Sequence, residues 1–416
     1  MSSGKKHIFY GWFIVAALWI IWTAVGGIVS IGFTAFIEPL TYRFGWTYTQ
    51  ITFAASLRSL MMVIFTPIAG LLSDRWGARK LVFTGIVLSG MGLFLLYWTD
   101  SLTQFYLCSI LIGIGYSTST GAIPQAVIGR WFRKKMSLAT GILMVSGGAA
   151  GLLVPLVTKL IDMYGWPTAM AILGIAFLVL LTPLSLVIRQ SPDQYGYLPD
   201  GEIKEKNISH QSLNYIPDTV MKTGARQFVK DRVFWHITIA LLLHMLLSTA
   251  VIVHSMPFLS TIGIDRTTSS FVSGALSIVG VFGRLGFGWF GDKLNKRWLA
   301  ASGTTMIGLS LIIFGCTTTA NIWVLLPAVI LFGTGYGGTV TLHPVLLCEN
   351  FGTINLGSVI GLSVGITAIG MIAGPPFTSW LYDSIGSYRI TWFILIGVVI
   401  ISVVSQLTNP SVHTRR

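Results

Sequence analysis

Apolar residues in this chain come in runs long enough to cross a bilayer, broken by short polar segments, and this pattern repeats from one end to the other. About twenty apolar residues wound as a helix, rising about 1.5 Å each, span roughly 30 Å of hydrocarbon. Taken between polar breaks, the runs predict helices near 11–37, 48–72, 79–99, 103–127, 137–161 and 167–189. A second group follows near 233–260, 268–291, 297–317, 321–345, 356–382 and 387–407. The polar stretch 190–232 parts the two groups of six. The expected fold is all-α and membrane-integral. The first run is too long for a cleavable signal and is expected to stay as the first span.

Composition agrees, with 10% charged and 53% hydrophobic residues against about 25% charged in soluble domains. The net charge of +13 lies in alternate loops rather than on one face, so it reads as topology and not as nucleic-acid contact. Lys5 and Lys6 precede the first run, and Arg75, Arg79 and Lys80 follow the second. Arg130, Arg133, Lys134 and Lys135 follow the fourth. The connector carries Arg189, Lys204, Lys206, Lys222, Arg226, Lys230 and Arg232. Lys293, Lys296 and Arg297 follow the eighth run, and Arg415 and Arg416 end the chain. The opposite loops hold Arg43, Arg266 and Arg389. By the positive-inside rule both termini and the connector face the cytoplasm. Cys108, Cys316 and Cys348 are scattered, with neither metal spacing nor a disulfide framework. No nucleotide loop, nucleophile constellation or metal cluster is present in the sequence, so no enzyme, cofactor or metal is expected. The NIS triplet at Asn207 falls in the connector and reads as chance.

The two groups of six also match each other. GWTYTQITF at Gly45 aligns with GIDRTTSSF at Gly263, and Asp74 in GLLSDRWGARK with Asp292 in GWFGDKLNKR. GIGYSTSTGAIP at Gly113 aligns with GTGYGGTVTLHP at Gly333, which pairs Tyr116 with Tyr336 and Pro124 with Pro344. Gly141 and Pro155 likewise pair with Gly361 and Pro375. The expected domains are therefore a six-helix half at 1–189, a connecting loop at 190–232 and a second half at 233–416. Such a parallel repeat forms its substrate site between halves near the bilayer midplane.

Over the whole chain, this pattern resembles the major facilitator superfamily, whose loop signature GLLSDRWGARK is similar to. The resemblance implies a cytoplasmic gate built on Asp74, Arg75 and Arg79, with Asp292 as the match in the second half. Within that superfamily the chain resembles the monocarboxylate transporter family, through YGW at Tyr10–Trp12 and RWFRKKMSLATGILMVSGGAAG at Arg130–Gly151. The look is closest to bacterial lactate transporter homologues.

Arg284 stands eight residues before Asp292, about 12 Å along a helix, which sets it near the midplane. A charge there normally faces the bundle interior or a water-filled path. Its helical face carries Ser277, Gly280, Gly288 and Gly291, small residues that leave room for a ligand or another helix. No acidic residue lies mid-span, so a resident salt bridge has no obvious partner. A guanidinium is always charged and forks to match a carboxylate. The resemblance also implies that a span-8 arginine binds the substrate carboxylate.

Arg58 is the second interior cation and reads either as structure or as substrate attraction. The repeat places Thr66 opposite Arg284 and Leu276 opposite Arg58, so both arginines break the pseudo-symmetry. His254 is the histidine that the resemblance favours, as a proton relay or a hydrogen-bond partner for a hydroxyl. Tyr116 and Tyr336 serve packing or gating, or line the central path. Departures from the family matter too. Mammalian members have an aspartate one turn before the arginine, where this chain has Gly280, and their span-1 lysine falls near Ile31. The span-11 lysine of oxalate–formate exchangers has no counterpart in 361–376.

The expected activity is transport of small monocarboxylates such as L-lactate or pyruvate by proton symport with alternating access. The expected setting is a bacterial cytoplasmic membrane, with the protein as a monomer. Carboxylate exchange of the oxalate–formate type, or export of another organic anion, is the alternative.

Overall fold

The computed structural model describes residues 9–195, 197–201, 228–264, 266–318 and 323–408. Regular structure among them is helical throughout, and twelve helices are long and apolar enough to cross a membrane. Spans 1 to 6 are Tyr10–Val29, Phe53–Trp76, Ala78–Trp98, Leu102–Trp131, Met136–Tyr164 and Trp166–Val187. Spans 7 to 12 are Arg232–Thr261, Phe271–Gly291, Lys296–Cys316, Leu325–Phe351, Leu356–Ile385 and Tyr388–Leu407. Each expected helix is present. Lys5, Lys6, Lys204, Lys206, Lys222, Arg226, Arg415, Arg416 and Asn207 lie outside the described residues, as does the side chain of Arg266.

Local chemistry explains the helix ends. Thr47 opens the helix Tyr48–Trp76 with a reciprocal capping box. Gln50 N donates to Thr47 Oγ1 at 3.2 Å, and Thr47 N donates to Gln50 Oε1 at 3.0 Å. Asp231 caps span 7 and Asn295 caps span 9 through their side-chain oxygens. Gly45 and Gly263, matched by the repeat, both take positive φ, 67° and 81°, a conformation that favours glycine.

Four spans are less regular than hydropathy predicts. Spans 5 and 6 contain the 3₁₀ stretch Ala150–Leu153 and the π-helical stretch Phe177–Leu181, and spans 1 and 4 depart further. The α-helix of span 1 ends at Val25 and continues as a π-helical stretch, Gly26–Ile31. There Gly27 lies so close to span 5 that a Cβ would sit 2.6 Å from the Ala150 carbonyl oxygen. Span 4 breaks after Ser119 and restarts at Ala122, with Gly121 at φ 71°. Span 10 instead runs unbroken through the matching GTGYGGTVTLHP segment and Pro344 to Phe351.

Contacts divide the chain into two compact units. The first gathers Met1–Ala139, Ser146–Thr223 and Thr353–Gly361; the second gathers Thr140–Val145, Gly224–Gly352 and Leu362–Arg416. In the first, Trp131 and Phe132 are fully buried, and the rings of Phe9 and Tyr10 lie 5.8 and 5.6 Å from Trp131. In the second, Phe258, Phe314 and Trp392 anchor one apolar cluster. Phe282 is 68% exposed and Leu180 64% exposed, as side chains facing lipid tails can be without cost.

The SPDQYGYLPDG stretch after span 6 reads in sequence as a turn-rich tether without chemistry, yet it and the two residues before it are tied into the first unit. Arg189 lies against the rings of Tyr10 and Tyr195, at 4.1 and 3.9 Å. The Gln190 amide accepts from Ala78 N and donates to Ser73 O at 3.2 Å. Asp200 accepts from the backbone of Arg133, Lys134 and Lys135 at 2.9, 2.6 and 3.3 Å, just ahead of span 5. A carboxylate there satisfies exposed N–H groups and complements the helix dipole.

Candidate functional site

Span 8 reaches Arg284 by packing closely on span 10. Gly337 is pressed against the Gly280 carbonyl, and a Cβ on Gly283 would lie 2.5 Å from Thr334 O. On another side, a Cβ on Gly141 would lie 2.6 Å from the carbonyl of Arg284 itself. Gly283, Gly337 and Gly141 are therefore spent on helix contact. A Cβ on Gly280, by contrast, would meet only the Tyr336 ring, at 3.5 Å, and Gly333 O, at 3.6 Å, and Gly286 has open space beside it. The half-buried Arg284 guanidinium sits 5.7 Å from the centre of the Tyr336 ring. It makes no ion pair among the described residues. Thr66, its counterpart in the repeat, is buried and donates to Met62 O in its own helix at 2.6 Å.

Tyr336 stacks on two other rings. His244 lies 6.5 Å away at 13°, and Phe332 lies 6.0 Å away at 18°. Arg284, Tyr336 and His244 thus form one group inside the second unit. Sequence reasoning favoured His254, and the structure places that residue in a different network. His254 Nε2 is 3.0 Å from Pro375 O, and Nδ1 is 3.1 Å from the Tyr388 hydroxyl. A carbonyl can only accept, so Nε2–H donates and Nδ1 accepts from Tyr388. Both nitrogens of a neutral imidazole are then satisfied, 6% exposed. Such a histidine fastens spans 7, 11 and 12. His254→Ala is expected to cost about 1–3 kcal/mol of stability, the usual penalty for stranding buried partners. Transport per folded molecule should be little changed. Thermal unfolding and uptake measured on one preparation check this.

Arg58 has structural partners, donating to Val29 O at 3.0 Å with its guanidinium 3.9 Å from the Phe33 ring. Tyr116 ends a helix turn before the span-4 break, its carbonyl accepting from Thr120 N and Oγ1.

The expected gate residues part company. Asp74 Oδ1 meets Arg130 Nη2 at 2.5 Å, with both side chains 7% exposed. The same carboxylate accepts from Gly357 N at 3.2 Å, Ser358 N at 2.8 Å and Ser358 Oγ at 2.5 Å, in the first turn of span 11. Arg130 Nε also donates to Thr353 O at 3.3 Å. A charge-assisted pair and a helix N-terminus thus converge on one acid. Arg75 and Arg79 are exposed and form no ion pair among the described residues, so the partner of Asp74 is Arg130, not its neighbours in the loop. Sequence reading had placed Arg130 in the basic loop; the signal was its position as the lone charge in AIPQAVIGRW, which is helix. Asp292 is half-buried after span 8. In the same half Lys296 pairs with Glu349 at 2.6 Å. Glu349 is exposed, and such pairs contribute little.

Known proteins resemble this chain at three levels. The profile described as the Major Facilitator Superfamily matches residues 8–367. Monocarboxylate transporter 12 of Mus musculus is 26% identical over 94% of this chain and 83% of its own length. Monocarboxylate transporter 2 of Mus musculus is 24% identical over 98% and 85%. In three dimensions the chain is similar to the E. coli fucose:proton symporter, with a TM-score of 0.72 and 11% identity over 96% of this chain and 98% of that one. It is also similar to a proton:xylose symporter, with a TM-score of 0.70 and 13% identity over 96% of each.

Proposed function

Because the chain belongs to the Major Facilitator Superfamily, we propose that it is a secondary active transporter of small monocarboxylates such as L-lactate or pyruvate. The proposed mode is proton symport with alternating access, by a monomer in a bacterial cytoplasmic membrane with both termini inside. One observation carries the substrate class. Arg284 lies part-buried in an apolar span beside an aromatic ring and without an ion pair among the described residues. An arginine so placed is stabilised by an anion that visits. A planar carboxylate suits its fork, and one interior arginine of this kind suits one carboxylate. The named relatives are monocarboxylate transporters, which supports an organic-anion substrate. Arg284 and Tyr336 are the proposed binding residues, with His254, Tyr116 and Arg58 in supporting places around the path. Asp74, joined by Arg130, is the proposed cytoplasmic gate, and the two halves 1–189 and 233–416 are the proposed moving bodies.

Purified protein in liposomes, offered radiolabelled lactate, pyruvate, acetate, formate and oxalate with and without an acid-outside gradient, tests the reading. Accumulation of lactate or pyruvate that rises with the gradient is the expected result. Oxalate preference with no gradient effect would favour carboxylate exchange. Failure to move any of the five would remove the assignment.

A further inference from the structure

Span 7 carries a second histidine whose surroundings differ from those of His254. His244 is fully buried, and its Nδ1 lies 3.3 Å from Thr304 Oγ1. Thr304 Oγ1 receives the Gln406 amide at 2.9 Å and donates to Ala300 O at 3.4 Å. With the hydroxyl proton so used, Nδ1 of the neutral ring is the donor and Nε2 keeps its lone pair. Nε2 has no hydrogen bond of regular geometry among the described residues. A buried base with an open nitrogen is costly unless something arrives to use it.

A cavity lies in the same unit, linked to His244 through Gln406 and Thr304. It is small, about 20 Å³, room for about one water, and Gln406 lines it together with Arg297, His343, Thr339, Ile237 and Leu346. Gln406 Oε1 and Arg297 Nε are buried there without hydrogen-bond partners among the described residues. Polar atoms left open around such a space are what an ordered water needs. Arg297 stands in the first turn of span 9 and Gln406 in the last turn of span 12, the ends that the basic residues assign to the cytoplasm. His343 adds a second titratable group, bonded to Ser363 at 2.9 Å and onward to Thr238 at 2.8 Å.

We propose that His244 carries the coupled proton of this transporter, reached by water through the cavity beside Gln406, and that the carboxylate on Arg284 governs its protonation. The proposal rests on the reading of Arg284 as the carboxylate site. Arg284 and His244 lie against the same Tyr336 ring. With the site empty, the guanidinium repels an imidazolium. A bound carboxylate cancels that charge and favours it. The step balances simply. A hydronium gives a proton to the open Nε2, forming an N–H bond and leaving water, and the same proton returns to water after the carboxylate departs. The charged or titratable groups tied to His244 are Tyr336 of span 10, stacked on it, Arg284 of span 8, against the same Tyr336 ring, and Arg297 of span 9 and His343 of span 10, which share the cavity with Gln406.

His244→Gln keeps side-chain hydrogen-bonding capacity and removes the titration, so it separates coupling from binding. Reconstituted wild type and variant are compared for gradient-driven lactate accumulation, lactate-induced proton entry read by an internal pH dye, and lactate–lactate exchange. The expected result is at least a tenfold loss of accumulation and proton entry in the variant, with exchange kept within about threefold. A variant that accumulates lactate with proton entry like wild type overturns the proposal. Wild-type exchange without proton movement overturns it too, while leaving Arg284 as the carboxylate site. Wild type that moves no monocarboxylate removes both readings. Thr304→Val provides a second arm if the glutamine variant does not fold. It should slow coupled uptake several-fold and leave exchange intact, and unchanged coupling would overturn the route through Gln406.

Discussion

Replacing Arg284 with lysine is expected to weaken monocarboxylate binding by roughly a hundredfold, which corresponds to about 3 kcal/mol at roughly 1.4 kcal/mol per tenfold. An ammonium keeps the charge but loses the fork and the planar fit to a carboxylate. Arg284→Ala should abolish measurable binding. Folding should survive both changes, because Arg284 has no ion pair among the described residues to leave stranded. Lactate binding by calorimetry and uptake by liposomes, alongside thermal unfolding of each variant, decide the matter. If the lysine protein binds and transports as wild type does, the arginine is structural and the carboxylate sits elsewhere. If the alanine protein unfolds, Arg284 holds spans 8 and 10 together, and its charge is part of the scaffold.

What could be read from sequence follows from what each signal reports. Hydropathy is a property of each helix against lipid, taken one at a time, so the twelve spans could be read, most with limits a few residues off; the first, drawn to 37, ends at Val29. The repeat was equally open, since a turn that needs positive φ keeps glycine in both halves, as Gly45 and Gly263 do. The break in span 4 was hidden because serine, threonine and glycine are apolar enough on average to pass for helix. Nothing in the hydropathy of GIGYSTSTG distinguishes it from GTGYGGTVT, which stays helical.

Partner choice was the harder question, because it depends on neighbouring helices. His244 and His254 ride on one helix, and only the packing of spans 10, 11 and 12 decides that Tyr336 meets the first and Tyr388 the second. Arg130 was counted with Arg133, Lys134 and Lys135 as a loop charge. The helix continues to Trp131 and buries it, which turns a topology marker into an ion-pair partner. The glycines around Arg284 read as room for a ligand; Gly280 has the Tyr336 ring 3.5 Å away, while Gly283 and Gly337, not singled out in the sequence, mark the tight backbone contacts. The histidine satisfied at both nitrogens supports structure, and the one with an open nitrogen supports chemistry. That distinction exists only once coordinates place their partners.

Asp74 offers the second large effect. Its carboxylate faces the buried guanidinium of Arg130 and three donors at the start of span 11. Asp74→Ala removes all of these at once, leaving a charge that is 7% exposed without its carboxylate. Breaking a buried pair by deleting one partner costs roughly 3–5 kcal/mol, mostly for the charge left behind. The expected result is a large fall in thermal stability for Asp74→Ala and a smaller one for Asp74→Asn, which still accepts from Ser358. Arg130→Met on the alanine background should recover part of the loss, because the stranded charge goes with it; the double mutant should therefore be less unstable than the two single changes added together. The proposed gate makes a further demand on the same variants. A pair that forms in one transport state and not in another biases the equilibrium between them, so Asp74→Asn should change the labelling rate of cysteines placed in the loops. Additive stabilities would show that the pair contributes no coupling. Unchanged labelling would leave Asp74 as a helix cap that holds span 11 in place without switching anything.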